Sequence, residues 1–164
     1  IRDQPRSRGL EMCIRDRTLA TSIAVMNKGI IEQLAKPMEI YKNPKSLFVA
    51  KFVGSPQMNI VDFNDGEQLA SSLLNKTKFD KNNVKTLGIR PESIKLTSKD
   101  NGDINGTIET IQPTGADWIV GLNISGKSIF AISSDQPPGN ENDIIGLSFK
   151  LDGLHTFEIN DLKL

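Results

Sequence analysis

The side chains that most often carry chemistry are scarce in this chain. Its 164 residues contain one cysteine, Cys13, and one histidine, His155. A single cysteine cannot form an internal disulfide or a multi-thiolate metal site, and a single histidine excludes every metal motif that needs two. His155 has no partner motif in the sequence, so we predict a structural or surface histidine, with a role in a site as the alternative.

The common phosphate-binding and nucleophile motifs do not occur in the sequence. It contains no G-x-x-x-x-G-K-[ST] phosphate loop, no G-x-G-x-x-G fingerprint and no G-x-S-x-G elbow. Asp100-Asn101-Gly102-Asp103 resembles the start of a calcium loop but lacks its remaining ligands, so we predict a polar hairpin turn. The sequence therefore predicts no catalytic residue, no cofactor-binding residue and no metal ligand.

Arg90 is the one arginine outside the first 17 residues, and it precedes a proline that favours an extended backbone. Two interpretations are open. Its guanidinium could pair locally with Glu92 or a neighbouring carboxylate, or it could form a bidentate contact that fixes a loop or an interface. Trp118 follows a turn at residues 113–117, and we predict a core position, with contact to a partner as the alternative.

Composition limits the classes of function. The chain has 20 Lys+Arg and 20 Asp+Glu, with 37% hydrophobic and 24% charged residues, which is typical of a folded soluble domain. No run approaches the roughly 20 apolar residues that span a bilayer, so an integral membrane protein is not expected. Zero net charge argues against nucleic acid as a partner, because nucleic-acid binders generally rely on a basic surface.

Residues 1–17 differ in composition from the rest. They hold five of the six arginines and no lysine, whereas the remaining chain has fourteen lysines. This stretch resembles translated sequencing-adapter sequence, and we predict a non-native leader; a short basic arm or a targeting peptide is the alternative. It lacks the apolar core of about 7–15 residues that a secretory signal requires. Without it the chain carries a net charge of minus two.

Residues 18–58 show the pattern of a short α/β segment. Two apolar runs within residues 22–34 flank Asn27-Lys28-Gly29, which predicts a β-hairpin whose positive φ angles fall on Asn27 and Gly29.

Two short helices are predicted after this hairpin. The first begins at Pro37, and the second spans Leu47–Val53, with Ser46 as its N-cap and Gly54 just beyond its end. Such short helices are unstable alone in water, so they must pack on a core.

From residue 59 onwards the pattern is one of short strands separated by turns, with a short helix at Glu67–Leu74. Seven or eight strands in this length predict a small closed barrel. The predicted strands are Ile60–Phe63, Thr86–Arg90, Ile94–Thr97, Ile104–Ile111, Trp118–Ile124, Ser128–Ile132, Ile145–Lys150 and Thr156–Ile159.

The order of several motifs resembles one class of transporter subunit. Residues 18–33 are similar to the closing hairpin of an ABC-transporter nucleotide-binding domain. Residues 37–44 (PMEIYKNP) and 48–59 (FVAKFVGSPQMN) resemble the domain exit of the maltose-importer class of ATP-binding subunits, which serve sugar and glycerol-phosphate importers. Three further stretches resemble the C-terminal regulatory domain of that class, a transport-associated OB-type barrel, and residues 154–157 fit its last strand. These stretches are residues 88–92 (GIRPE), 114–117 (TGAD) and 145–149 (IGLSF).

The resemblance implies a fold and a division of the chain. The expected fold is mainly β, a small OB-type barrel regulatory domain preceded by a short α/β remnant of a nucleotide-binding domain. The expected parts are the leader at 1–17, the tail of the nucleotide-binding domain at 18–58, and the regulatory domain at 59–164. Because that tail would lack the rest of its domain, we expect partial exposure of four of its side chains. They are Ile40, Tyr41, Phe48 and Phe52.

The resemblance also implies a function. The chain would be a C-terminal fragment of the energising subunit of a carbohydrate importer, cut after the catalytic motifs. Glu11 stands where the family has its switch histidine. The fragment should not hydrolyse ATP alone, and ATP and Mg²⁺ would be cofactors of the intact parent only.

The expected partners are a second copy, through the regulatory domains, and transmembrane permease subunits, with no nucleic acid. The expected location is cytoplasmic, peripheral on the inner face of the membrane. A stand-alone OB-type barrel that binds a small ligand or an oxyanion is the alternative.

Overall fold

A computed structural model describes residues 21–64, 66–77 and 84–157. The described strands are β1 Ile23–Asn27, β2 Ile30–Ala35, β3 Asn59–Asp62, β4 Thr86–Ile89, β5 Ile94–Thr97, β6 Ile104–Pro113, β7 Trp118–Ile124, β8 Lys127–Ser133, β9 Ile144–Phe149 and β10 Leu154–Phe157. The described helices are α1 Pro37–Lys42, α2 Leu47–Phe52 and α3 Glu67–Leu74, with single 3-10 turns at Pro91–Ser93, Lys99–Asn101 and Leu151–Gly153. The predicted leader, residues 1–17, lies outside the described residues.

The predicted hairpin is present as the antiparallel pair β1–β2. Its turn differs from the prediction by one residue, because the positive φ angles belong to Lys28 (48°) and Gly29 (84°). Asn27 instead ends β1. A two-residue loop of this kind needs left-handed backbone at both central positions, so the turn takes the two residues that lie between the strands.

Both predicted short helices are present. Pro37 occupies the first turn of α1, where its missing N–H costs nothing. Ser46 caps α2, and its side-chain oxygen accepts a hydrogen bond from the Val49 N–H at 3.4 Å. Gly54 lies beyond the helix end with a φ of 120°, a conformation that strongly favours glycine.

The predicted strands after residue 59 are all present in the described part of the chain, but they do not close into one barrel. Five of them form an antiparallel sheet in the order β5-β9-β6-β7-β8, and the other three form a separate sheet in the order β10-β4-β3. The five-stranded sheet curls, so that its edge strands β5 and β8 come into contact without pairing. The prediction of a closed barrel is therefore wrong in its closure, whereas the mainly β fold is confirmed.

The curl originates in β6. Its first half pairs with β9 through residues 104–107, and its second half pairs with β7 through residues 107–113. A bulge between Ile108 and Thr110 bends the strand between these two partners. One long strand thus belongs to both halves of a curled half-barrel, which is consistent with an OB-type domain. We call residues 59–157 the barrel.

The barrel encloses most of the buried apolar residues that the structure describes. Its core takes side chains from both sheets and from α3, which contributes Leu69, Ala70 and Leu73. The predicted helix at Glu67–Leu74 therefore exists and covers the curled sheet.

Residues 21–58, which we call the hairpin–helix segment, form a second and smaller core. Val25, Ile40, Val49 and Val53 are its buried members. The helices pack on one side of the hairpin, so the predicted exposure of Ile40 is wrong: only 1% of it is exposed.

The other three side chains are partly exposed at the margin of this small core, as predicted. They are Tyr41, Phe48 and Phe52. The most exposed large apolar side chains of the segment lie in β1, in β2 and at the start of α1, a set that we call the hairpin outer face. Its members are Met26, Ile30, Ile31, Leu34 and Met38, with exposed fractions of 54–70%.

Among the residues described, no helix has the length and apolar character needed to cross a membrane.

Candidate functional site

Arg90 lies where the barrel meets the hairpin–helix segment. It follows β4 directly, with an extended backbone (φ −69°, ψ 139°), as expected for a residue before proline. Only 2% of the residue is exposed. Burial at this level requires hydrogen-bond partners, because an uncompensated buried charge is strongly destabilising.

The partners of the Arg90 guanidinium are main-chain carbonyls near the ends of both short helices. Nη2 donates to the carbonyl oxygen of Tyr41 in α1 at 2.7 Å. Nη1 donates to the carbonyl oxygen of Val53 at 2.6 Å, and at 3.5 Å to that of Ala50 in α2. The last carbonyls of a helix lack partners within the helix and attract cations. The interpretation as a bidentate contact at an interface is confirmed.

Glu92 does not accept a hydrogen bond from Arg90 but binds Tyr41, which lies beside the guanidinium. The Tyr41 hydroxyl donates to the Glu92 Oε1 at 2.5 Å. The Tyr41 ring lies under the guanidinium, with 4.0 Å between Arg90 Cζ and the ring centroid. Burial, the hydrogen bond to Glu92 and the Glu92 charge raise the pKa of Tyr41, while the Arg90 charge acts in the opposite direction. The hydroxyl therefore remains a donor at neutral pH.

Because Gly54 has no side chain, the guanidinium can reach the end of α2. A Cβ atom added to Gly54 would lie 3.0 Å from the Pro56 carbonyl oxygen and 3.2 Å from Arg90 Nη1. Any other residue would therefore crowd both atoms in addition to straining the backbone.

The site holds two helix ends rather than offering a reactive group. Burial lowers the pKa of Arg90, whereas the neighbouring Tyr41 and Glu92 favour its charged form. Nε is buried and has no hydrogen-bond partner among the described residues. Among the described residues, every hydrogen bond of the guanidinium goes to a carbonyl oxygen of the hairpin–helix segment.

The acidic loop at residues 100–103 contributes to structure. It connects β5 to β6, which both pair with β9, so it is a crossover and not the predicted hairpin turn. Asp103 Oδ2 lies 2.7 Å from Lys76 Nζ and accepts a hydrogen bond from the Phe149 N–H at 3.0 Å. Burial acts to raise the pKa of Asp103, but these bonds and the Lys76 charge outweigh it, and the pKa is lowered. The described part of the chain has no group of three or more His, Cys, Asp or Glu side chains suited to a metal ion.

His155 and Trp118 have structural positions. His155 lies in β10 opposite Gly88 of β4 and is buried, which agrees with the prediction of a structural histidine. Trp118 is half-buried and packs against the barrel core, as predicted.

Sequence reasoning missed Asn59. Its side-chain amide makes two 2.8 Å hydrogen bonds with the main chain of Phe130, one from Nδ2 to the carbonyl oxygen and one to Oδ1 from the N–H. The amide thus forms the pair of hydrogen bonds that a neighbouring strand would form, and it links β3 to β8. An amide side chain can supply both a donor and an acceptor, but nothing in the sequence identifies a partner 71 residues away.

Comparison with known proteins identifies a domain within the barrel and finds relatives for most of the chain. Residues 87–157 match the TOBE domain family. The chain is 39% identical over 123 residues to the sn-glycerol-3-phosphate import ATP-binding protein UgpC of Pectobacterium atrosepticum, which covers 70% of this chain and 34% of that protein.

Two further relatives carry the same description. UgpC 2 of Rhizobium johnstonii is 38% identical over 144 residues, covering 85% of this chain and 40% of the relative. UgpC of Psychromonas ingrahamii is 33% identical over 159 residues, covering 89% of this chain and 42% of the relative. The chain therefore spans between 34% and 42% of the length of these curated relatives.

The TOBE match runs from Leu87 in β4 to Phe157 in β10 and so includes the whole five-stranded sheet. The boundaries at residues 17 and 58 remain predictions. Residues 87–157 form a TOBE domain, in a chain that is homologous over most of its length to sn-glycerol-3-phosphate import ATP-binding proteins.

Proposed function

We propose that this chain is the C-terminal part of the ATP-binding subunit of an importer for a carbohydrate or a glycerol phosphate. In this proposal the barrel regulates the subunit and contributes to its dimerisation. The observation that carries the proposal is the continuous similarity to UgpC proteins across the hairpin–helix segment and the TOBE domain.

The hairpin outer face supports this assignment physically. Its five large apolar side chains are 54–70% exposed on β1, β2 and α1, three neighbouring elements of a small unit. Contiguous exposed apolar surface is rare on soluble monomers and usually marks an interaction site. In the parent subunit this face would pack against the remainder of the nucleotide-binding domain.

The described residues do not fit Mg²⁺ and ATP. No group of three metal-binding side chains occurs among them, and the buried Arg90 guanidinium is bound to helix carbonyls. Phosphoryl transfer needs cationic and N–H groups placed around the transferred phosphate. These groups would come from the part of the parent subunit that this chain does not contain.

The partners and location follow from the same proposal. The parent would work as a homodimer beside transmembrane permease subunits, on the cytoplasmic face of the membrane. Regulation by the barrel requires that it favour one arrangement of the dimer over another. The buried Arg90 guanidinium does not support the alternative of a stand-alone oxyanion-binding barrel, because it binds helix carbonyls.

A chimeric subunit tests the proposal. The C-terminal part of the Pectobacterium UgpC that matches this chain would be replaced by residues 18–164, and ATP hydrolysis and glycerol-phosphate uptake would be measured. We expect both activities. A matched chimera with Ile31→Lys and Leu34→Lys on the hairpin outer face should lose them, because two charges would be buried against the nucleotide-binding domain. A folded parent chimera without ATP hydrolysis, or a doubly charged chimera with full activity, would contradict the proposal.

A further inference from the structure

We infer that Arg90 is a positioning residue that sets the angle between the barrel and the hairpin–helix segment. The inference concerns the chain itself, and only its meaning for transport rests on the proposed function.

The apolar contact between the two regions does not fix an angle by itself. It consists of a small cluster in which Ala50 of α2 meets Met58 and Phe157, with Leu47 and Ile60 at its margin. Apolar burial is non-directional and depends on the area removed from water. A cluster of this size resists separation of the two regions but offers little resistance to a small rotation.

The Arg90 guanidinium fixes the angle that the apolar cluster leaves free. It is planar and rigid, and its two terminal nitrogens bind carbonyl oxygens on two different helices, Tyr41 in α1 and Val53 just after α2. Charge-assisted hydrogen bonds of this kind depend strongly on angle. Rotation of the barrel relative to either helix would lengthen at least one of the two bonds.

The surroundings of the guanidinium restrict it further. The Tyr41 ring lies against one face at 4.0 Å, and the hydroxyl of the same residue is bound to Glu92, two residues after Arg90. Tyr41 therefore contacts the barrel through its ring, its carbonyl and its hydroxyl. The absence of a side chain at Gly54 leaves the space in which Nη1 reaches Val53.

A lysine could not replace this arrangement. Its ammonium is a point charge on a flexible stem and does not present a planar fork to two carbonyls. Arg90→Lys therefore preserves the charge and most of the apolar stem while removing the directional contact. In the parent subunit, the same contact would make the barrel and the helices move as one body.

Distance measurements between spin labels test the inference on the full chain. In a Cys13→Ser background, one label pair spans the two regions, at Lys28→Cys and Glu141→Cys. A second pair lies within the barrel, at Asp100→Cys and Glu141→Cys. We expect Arg90→Lys to widen the distance distribution of the spanning pair by about twofold and to leave the second pair unchanged.

The matched control is Lys95→Arg, a charge-preserving exchange at an exposed position of β5 that lies outside the Arg90 site, so the spanning distribution should keep its width. An unchanged spanning distribution in Arg90→Lys would overturn the inference. Equal widening of both pairs would also overturn it, because Arg90 would then serve general stability.

If Arg90→Lys fails to fold, Gly54→Ala provides the second variant. The added Cβ crowds Nη1 while Arg90 itself stays in place, and the same two label pairs apply with the same criteria. No nucleotide, relative or membrane is needed, so failure of this test and failure of the proposed function can be told apart.

Discussion

The hairpin–helix segment and the barrel were both predicted from local sequence patterns, yet they differ in how they are stabilised. The barrel core contains eighteen buried apolar residues among those described, and the segment core contains four. The large exposed apolar side chains are distributed in the opposite sense, with five in the segment and three in the barrel. Correct local structure therefore does not imply a self-sufficient core. The barrel encloses its own core, whereas the segment keeps one apolar face open.

The largest expected effect is a core truncation in the barrel. Leu122→Ala should lower the free energy of unfolding by about 3 kcal/mol, because Leu122 is fully buried and the surrounding sheets cannot close the cavity. Urea denaturation followed by Trp118, the single tryptophan, reports on the barrel. The matched variant Val25→Ala, buried in the segment, should shift the same transition by less than about 0.5 kcal/mol if the hairpin opens independently. Equal shifts would show one cooperative unit and contradict the contrast between the regions.

The next largest loss of stability is expected at the boundary between the two regions. Gly54→Ala should cost about 2 kcal/mol, because the φ of 120° is unfavourable for alanine and the new Cβ crowds the Pro56 carbonyl. Thermal unfolding would measure the loss. Gly115→Ala is the control, since Gly115 also has a positive φ (96°) but open space around its added Cβ. A loss no larger than that of the control would show that crowding at Gly54 is unimportant.

A smaller effect is expected on solubility. We expect residues 59–164 alone to remain in solution at about threefold higher concentration than the full chain, because the hairpin outer face is removed. Light scattering during concentration measures this limit. The full chain with Ile31→Thr and Leu34→Thr should approach the behaviour of the shortened chain. Identical limits for all three proteins would assign the association to another surface.

The smallest expected effect is on the pH dependence of the free energy of unfolding in acid. The pKa of Asp103 is lowered from its usual value of 3.8, so its bond to Lys76 contributes stability above that pH, and this contribution is lost as the pH falls through the folded pKa. Both side chains are 30% exposed, and Asp103→Asn should therefore cost only about 0.5 kcal/mol at pH 7. The difference from the wild type should disappear below about pH 3. Urea titrations at both pH values test this, with Asp100→Asn as the control; a cost that persists at low pH would point to packing instead of charge.

Most of the secondary structure could be predicted, because its signals are local. The alternation in β7, the Ser46 cap of α2 and the turn at Ser125-Gly126 each arise within a few residues. The turn of the first hairpin was misplaced by one residue for the same reason: Asn27 and Lys28 compete for the left-handed position, and strand pairing decides between them.

The long-range contacts could not be predicted in the same way. Arg90 was recognised as a candidate anchor, but its acceptors are main-chain oxygens 37 and 49 residues earlier, and a carbonyl leaves no signature in the sequence. The curl of the five-stranded sheet depends on a bulge in β6, which a single sequence does not mark. The burial of Ile40 was missed because the prediction had the segment pack only on the rest of its domain and overlooked its own small core.

Hydrogen exchange on the full chain tests the contrast between the two regions most directly. Strand β7 lies inside the five-stranded sheet, whereas β2 has one partner and an exposed outer face. We predict that the bonded amides of β7 exchange only through global unfolding and that those of β2 exchange at least about 100-fold faster, through local opening. Equal protection of β2 and β7 would contradict this, because it would show that the hairpin–helix segment is as stable as the barrel without any further domain.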